Sequence, residues 1–153
     1  MAIAELNIST WKIAPDSAEA RPFLDNVQRI NTLAERMPGF LWRLTDEGRD
    51  ADGNSVIGGP DTLVTLSVWR TADDLERFVW KTAHRIIYER KAEWFKVLKS
   101  HHLVLWWVGD DEKPSLADAK ERLDHLDKHG DTDFAFGWSH LTANTMWREQ
   151  RCA

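Results

Sequence analysis

The stretch HLVLWWV at His102–Val108 decides the fold because it has the length of a strand and is apolar on both faces. Its even-numbered residues from Val104 to Val108 point to one side, and its odd-numbered residues from Leu103 to Trp107 point to the other. Strands of this composition are typically buried on both sides. The sequence therefore predicts a sheet in which this strand is central or lies at an interface.

Three more strands are predicted upstream. In Ala4–Ile13 the side chains alternate between two sides: Leu6 and every second residue from it lie on one side, and Asn7 and every second residue from it lie on the other. Phe40–Thr45 and Thr62–Trp69 are rich in the apolar, β-branched and aromatic residues that strands prefer. Together with His102–Val108 they supply four strands.

Helical spacing separates these strands. The first helix is predicted to open at the capping pair Asp16-Ser17 and to end at Pro38-Gly39. The second opens at Thr71, which resembles the start of a capping box, and runs to about Lys99 with a break near His84. Its apolar positions, which form the predicted core face, are Leu75, Phe78, Val79, Thr82 and Ile86.

Two further segments complete the chain. The glycine-rich and acidic stretch Asp46–Asp61 is predicted to be an exposed, mobile loop. Ser115 caps a last helix that stops at Gly130, and the remaining tail has no clear period.

The order of these elements predicts an α+β fold of the ferredoxin-like split βαβ type, a four-stranded antiparallel sheet with two helices on one face. We expect one domain over 1–153, with the core in 1–110 and the extra helix and tail in 114–153. Two helices leave the opposite, tryptophan-containing face open. The sequence therefore predicts a homodimer that closes sheet on sheet.

Composition excludes several classes of protein. A net charge of -5 and a pI near 5.7 argue against nucleic acid and anionic membranes as main partners. No apolar run approaches the roughly 20 residues of a membrane span, and no secretory signal is visible, so a cytoplasmic location is predicted. A single cysteine, Cys152, excludes an internal disulfide and a thiolate metal cage. Nine tryptophans point to a bulky core, or to an aromatic-lined pocket or interface.

Six short pieces carry a family resemblance. They are Asn7, Pro38-Gly39-Phe40 leading to Trp42, Leu66-Ser67-Val68-Trp69, Ala83-His84, Glu93-Trp94-Phe95 and the segment from His102 to Trp107. In this order they resemble a bacterial family of unknown function within the dimeric α+β barrel superfamily, whose best-known members are the antibiotic-biosynthesis monooxygenases. The resemblance covers residues 4–136. It implies a homodimer with a cavity in each protomer.

The superfamily includes cofactor-free oxygenases, isomerases, haem-degrading and haem-containing enzymes and stress proteins, so the resemblance does not fix an activity. The haem-degrading branch has an asparagine, a tryptophan and a histidine at places similar to Asn7, Trp69 and His84. On this resemblance His84 is either an axial haem ligand or a general base. The alternative is a histidine packed at the helix edge beside Trp80.

The predicted binding wall lies on one face of the sheet. Asn7 is expected to hold a substrate carbonyl or oxyanion, or else to be satisfied by water. Residues expected to share its face and line a pocket are Ser9, Trp11, Thr65, Ser67 and Trp69, with Trp80 near His84. Arg43 is expected either to hold an acidic ligand or to pair with a carboxylate.

Metal sites are not predicted. His101 and His102 would point to opposite faces of a regular strand, so one is expected to be exposed. His125 and His129 lie on the polar side of the last helix, and the acidic loop lacks the register of a calcium-binding loop.

The sequence thus predicts a protein that binds a hydrophobic, aromatic small molecule in a tryptophan-lined cavity. Cofactor-free monooxygenase-like or isomerase-like chemistry would use His84 and Asn7. One alternative is a haem-binding or haem-degrading protein with His84 as axial ligand. Another is a non-catalytic ligand-binding or stress protein whose His84 and Asn7 are buried, paired and remote from any cavity.

Overall fold

The structure is a computed structural model that describes residues 1–46, 48, 57–82 and 84–151. The strands are β1 (Ala2–Thr10), β2 (Phe40–Arg43), β3 (Thr62–Trp69) and β4 (Leu103–Val108). The helices are α1 (Arg21–Arg36), α2 (Ala72–Lys81), α3 (His84–Glu89), α4 (Lys91–Trp94), α5 (Leu116–His129) and α6 (Met146–Arg151). Most of the predicted acidic loop, and Cys152, lie outside the described residues.

The strands form one antiparallel sheet in the order β2-β3-β1-β4. This is the order of the split βαβ plan, so the predicted α+β fold is confirmed. β1 lies at the centre, where Ile3 is opposite Trp69 on one side and Trp107 on the other. The predicted burial of both faces of β4 is also confirmed, since Val104, Leu105 and Trp106 are all buried, but β4 is an edge strand of the sheet and not a central one.

One face of the sheet packs against α5. The sheet residues in this core are Ala2, Ala4, Leu6, Val64, Leu66, Val68, Val104, Trp106 and Val108. Ala119, Leu123 and Leu126 cover them from the helix. The sequence analysis expected this face to be open in a single chain, and that expectation is wrong because the amphipathic C-terminal helix folds back onto it. The homodimer stays a prediction, but closure through this face would require α5 to leave the sheet.

The other face of the sheet lies under α1 and α2. Ile3, Trp69 and Leu105 pack against Leu75 and Phe78 there. α1 begins at Arg21, later than predicted, because Ser17 makes no side-chain capping bond, a short 3-10 helix follows it, and the proline that favours a first helical turn comes at position 22. These two helices cover the ends of the strands more fully than their middle.

The predicted second helix is three helices, and it ends at Trp94, short of Lys99. Thr71 caps α2 as predicted, because its side chain accepts a hydrogen bond from the Asp74 amide at 3.1 Å. The helical path then stops at Thr82, whose backbone is extended. The predicted break near His84 is present, and Ile86, which was predicted to lie on the core face, is 60% exposed because the break changes the direction of the chain.

The C-terminal segment is anchored to α2. Asn144 is buried, and its Nδ2 donates to Oε2 of Glu76 and to Oδ1 of Asp73, both at 2.8 Å. The Met146 amide donates to the other oxygen of Glu76 at 2.8 Å. Upstream, Phe136 pairs with Leu105 as a β-bridge at the sheet edge. The tail, which showed no period in the sequence, is therefore fixed by buried polar contacts.

None of the helices in the described ranges combines the length and the apolar character that crossing a membrane requires.

Candidate functional site

Polar side chains form the middle of the sheet face that α1 and α2 leave partly open. Glu5 and Asn7 project from β1, and their register partners on β3 are Ser67 and Thr65. The predicted sharing of one face by Asn7, Thr65 and Ser67 is confirmed. We call these four residues the polar floor.

The main cavity lies over this floor and has a volume of about 280 Å³. This is just under the range of roughly 300–1,000 Å³ that is typical of small-molecule sites. Its lining residues are Glu5, Asn7, Val79, Trp80, His84, Tyr88, His101, His102, Leu103, Asp131, Gly137, Trp138, Ser139 and Trp147. The walls therefore come from the sheet, from α2 and α3, and from the anchored C-terminal segment.

A side cavity of about 120 Å³ lies next to it. Its lining residues are Asn7, Ser9, Phe23, Leu63, Thr65, His84, Ile87, Tyr88, Lys91, Phe95 and His102. Four residues line both cavities and form the partition between them: Asn7, His84, Tyr88 and His102. Asn7 and His84 are thus placed together, at the boundary of two adjoining spaces.

His84 is held as a neutral imidazole. Burial lowers the pKa of its ring, which outweighs the opposite effect of the Val79 carbonyl. That carbonyl lies 3.2 Å from Nδ1 and can only accept a hydrogen bond, so Nδ1 carries the proton. No described residue hydrogen-bonds Nε2. The unprotonated nitrogen of His84 is therefore free to accept a proton from a ligand.

The side chain of Thr82 determines the direction in which His84 points. Its Oγ1 donates to the carbonyl of Phe78 at 2.6 Å and accepts from the His84 amide at 3.2 Å. These bonds end α2 and begin α3, so the His84 ring folds back against Phe78 with ring centroids 5.1 Å apart. A local side-chain bond of threonine thus turns the histidine toward the cavity.

Two buried polar atoms at the main cavity have no hydrogen-bond partner among the described residues. They are Oδ1 of Asn7, which is an acceptor, and Nε1 of Trp80, which is a donor. Leaving such an atom unpaired costs about 1–3 kcal/mol, so native proteins rarely do so without a reason. Neither atom is itself exposed to the cavity.

Glu5 is the residue that the sequence analysis missed. It keeps some accessible surface because it lines the main cavity, but it lies deep in the fold, and burial raises the pKa of its carboxyl from 4.5 to about 7. The hydrogen bond from Ser67 acts in the opposite direction. The available signal was its position: Glu5 is two residues before Asn7 on an alternating strand, and so on the same face.

Ser67, although it is part of the polar floor, lines neither cavity, and the same holds for Trp69. Nε1 of Trp69 donates to Oγ of Ser67 at 3.0 Å, and that hydroxyl donates to Oε2 of Glu5 at 3.1 Å. Trp69 itself is fully buried and stacks on Phe78 at 5.0 Å. Trp69 was predicted to line the pocket, but it instead holds Ser67, which in turn holds Glu5.

Trp11 and Arg43 also lie away from the cavities. Trp11 is buried between Phe23 and Phe95, in an aromatic core beneath α1. Arg43 pairs with Glu35 on α1, with Nε 2.7 Å from the carboxylate, which matches the alternative of a carboxylate partner. Of the predicted wall residues, Trp80 lines the main cavity and Thr65 the side cavity.

His101 and His102 precede β4 instead of lying in it, so strand alternation does not separate them. Both are exposed and both line the main cavity. His101 is held by Asp127, whose carboxylate lies 2.7 Å from Nδ1. Within the described residues, no group of three or more His, Cys, Asp and Glu side chains is placed to hold a metal ion.

The chain is similar in fold to solved structures. A conserved protein from Methanosarcina mazei Go1 aligns with a TM-score of 0.52 and 14% identity over 71% of this chain and 94% of that chain. SnoaB, a cofactor-independent oxygenase from Streptomyces nogalater, aligns with a TM-score of 0.48 and 18% identity over 71% of this chain and 93% of that one. At these identities the likeness concerns the fold. Among curated proteins, none matches the chain.

The family comparison covers nearly the whole sequence. The family described as Domain of unknown function (DUF3291) matches residues 2–152. This range includes the sheet, both cavities and the anchored C-terminal segment. The resemblance to a family of unknown function that the six sequence pieces predicted is thereby confirmed, and the chain belongs to the DUF3291 family.

Proposed function

We propose that this protein binds a small aromatic molecule in the main cavity. The observation that carries the proposal is that His84 and Asn7 line one cavity and that no described residue hydrogen-bonds Nε2 of His84. A hydroxyl group can donate to that nitrogen and accept from Nδ2 of the Asn7 amide. Aromatic walls from Trp80, Tyr88, Trp138 and Trp147 suit a flat apolar body.

A specific observation also favours proton-transfer chemistry. Glu5 has a pKa of about 7, and His84 is neutral with Nε2 unbonded by described residues, at the same cavity. A group with a pKa near the working pH is well suited to exchange protons with a substrate. Isomerase-like reactions need such a base, and an oxygenase-like reaction would use it to ionise the substrate. Asn7 would hold the oxygen on which charge develops.

The residues around the cavities do not fit haem. At roughly 30 Å³ per water, the main cavity has room for about nine waters, and a tetrapyrrole is several times larger. The propionates of haem need cationic partners, whereas this cavity presents the carboxyl groups of Glu5 and Asp131. His84 offers a nitrogen for axial ligation, but its surroundings favour a smaller, haem-free ligand.

The non-catalytic alternative required Asn7 and His84 to be paired and remote from any cavity. Both residues line two cavities, and Oδ1 of Asn7 has no described partner. This placement supports a ligand-binding role over a purely structural one. The predicted homodimer and cytoplasmic location are compatible with this proposal and are not needed for it.

Calorimetric titration with para-hydroxybenzamide, a neutral ring with one hydroxyl, tests the proposal. We expect saturable binding that weakens about fivefold to tenfold in His84→Phe, which keeps an aromatic ring and removes the acceptor. His129→Phe is the matched control because His129 is exposed and lines neither cavity. No saturable binding to the unaltered protein, or an equal loss in both variants, would overturn the proposal.

A further inference from the structure

Charge is distributed unequally between the two cavities. The main cavity contains two acidic residues, Glu5 and Asp131, and neither lines the side cavity. The side cavity is lined by one cation, Lys91, and by no acidic residue among those described. The two spaces thus differ in the ligand groups that they can accept, although they share the partition at Asn7 and His84.

Lys91 has no carboxylate partner in the described part of the chain. Its Nζ lies over the ring of Tyr88, 3.9 Å from the centroid, and so close to the partition. The two nearest acids in the sequence are already paired: Glu89 accepts from Arg85 at 2.9 Å, and Glu93 accepts from Arg90 at 2.7 and 3.2 Å. The ammonium group of Lys91 is therefore directed along the cavity wall and is available to an anion.

His102 supplies a donor beside this charge. His102 is exposed as a residue, but its ring is partly buried; this burial first, and then the charges of Lys91 and His101, lower the pKa of the ring, so the imidazole is neutral and has one N–H. No described residue hydrogen-bonds its side chain. Ser9 and Thr65 add hydroxyl groups from the sheet. The side cavity thus offers one positive charge with several neutral hydrogen-bond donors.

We propose that the side cavity is a carboxylate subsite, and that the ligand is an aromatic acid with its ring in the main cavity and its carboxylate between Lys91 and His102. This inference rests on the proposed function and adds the chemical class of the ligand. One cation balances a carboxylate and leaves a doubly charged phosphate uncompensated. A volume of about 120 Å³ also suits a group of this size.

The test compares para-hydroxybenzoate with para-hydroxybenzamide, which have nearly the same shape and differ in charge. At neutral pH and low ionic strength we expect the acid to bind about tenfold more tightly than the amide. In Lys91→Met this ratio should fall to about one. Lys96→Met removes a nearby exposed charge that lines neither cavity, and it should keep the tenfold ratio.

The outcomes separate this inference from the proposed function. Equal affinities for acid and amide in the unaltered protein, or a preference for the acid that survives in Lys91→Met, would overturn the carboxylate subsite alone. Failure of the unaltered protein to bind either compound would overturn the proposed function and this inference together. A preference that disappears equally in Lys96→Met would assign the effect to general surface charge and would also reject the subsite.

Discussion

The hydroxyl of Ser67 donates a hydrogen bond to Oε2 of Glu5 across 3.1 Å, between two register partners on adjacent strands. Trp69 in turn donates to Ser67, so the oxygen of Ser67 faces the indole and its proton faces the carboxyl group. This arrangement holds the Glu5 carboxyl at the cavity floor in one orientation. Since burial raises its pKa to about 7, the group titrates in the range where most enzymes work.

Glu5 should make the stability of the protein depend on pH. Between pH 4.5 and about 7 the folded chain keeps a proton that the unfolded chain has released, so the free energy of unfolding falls as the pH rises. The shift corresponds to roughly 3 kcal/mol. We expect Glu5→Gln to remove this loss, and thus to gain stability relative to the unaltered protein at about pH 8 but not at about pH 4.

Denaturant unfolding at the two pH values measures this difference. Glu121→Gln, an exposed position on α5, controls for the general effect of removing one carboxylate. A stability change in Glu5→Gln that is the same at both pH values would show that Glu5 has no raised pKa.

The two asparagines near the cavity should respond oppositely to substitution by leucine. Asn144→Leu removes hydrogen bonds to Glu76 and Asp73 and leaves Glu76 buried without that partner, so we expect a loss of roughly 2–3 kcal/mol. Asn7→Leu removes an amide oxygen that has no described partner, so the stability should change by less than about 1 kcal/mol. Thermal and denaturant unfolding of both variants tests this contrast.

Ligand binding should be affected more by Asn7→Leu than by Asn144→Leu, which is the reverse of their expected effects on stability. Asn7→Leu is expected to weaken para-hydroxybenzamide binding about tenfold, because the ligand loses the amide donor Nδ2. If Asn7→Leu proves as destabilising as Asn144→Leu, then Oδ1 of Asn7 has a partner in the free protein.

The contact between α5 and the sheet should carry much of the stability of the fold. Leu126 is fully buried against the sheet, and Leu126→Ala is expected to cost about 2–5 kcal/mol. Lys128→Ala, at an exposed position of the same helix, should change the free energy of unfolding by less than about 0.5 kcal/mol. Similar stabilities for the two variants would mean that α5 does not pack on the sheet in solution.

Haemin should not form a stoichiometric complex with this protein. The main cavity is too small and contains two acidic residues, Glu5 and Asp131. In a difference titration we expect no saturation at one haem per chain, and the same weak response in His84→Ala as in the unaltered protein. A sharp Soret shift that saturates and disappears in His84→Ala would show that the cavity opens to admit haem.

Periodicity was sufficient to predict the sheet and its plan. The alternation in β1, the two apolar faces of β4 and the caps at Thr71 and Ser115 each depend on neighbouring residues, and each is present in the structure. The same alternation placed Asn7, Thr65 and Ser67 on one face. The alternation also placed Glu5 on that face. The raised pKa of Glu5, however, follows from its burial, which depends on the helices that cover the face.

The rest of the site depends on contacts between distant segments, which local patterns do not encode. The direction of His84 follows from the hydrogen bonds of Thr82, which end one helix and begin another. The walls at Trp138 and Trp147 depend on the tail that Glu76 anchors. The amphipathic pattern of α5 predicted a buried stripe, but not the surface on which that stripe would lie.

The position of α5 also determines how this protein behaves on dilution. The helix is tethered to β4 by the short segment 109–115, so its effective concentration at the sheet is on the order of millimolar. A second copy of the chain at ordinary protein concentrations would compete poorly for that surface. Each molecule therefore covers this face of the sheet with its own helix, and dilution should not separate α5 from the sheet.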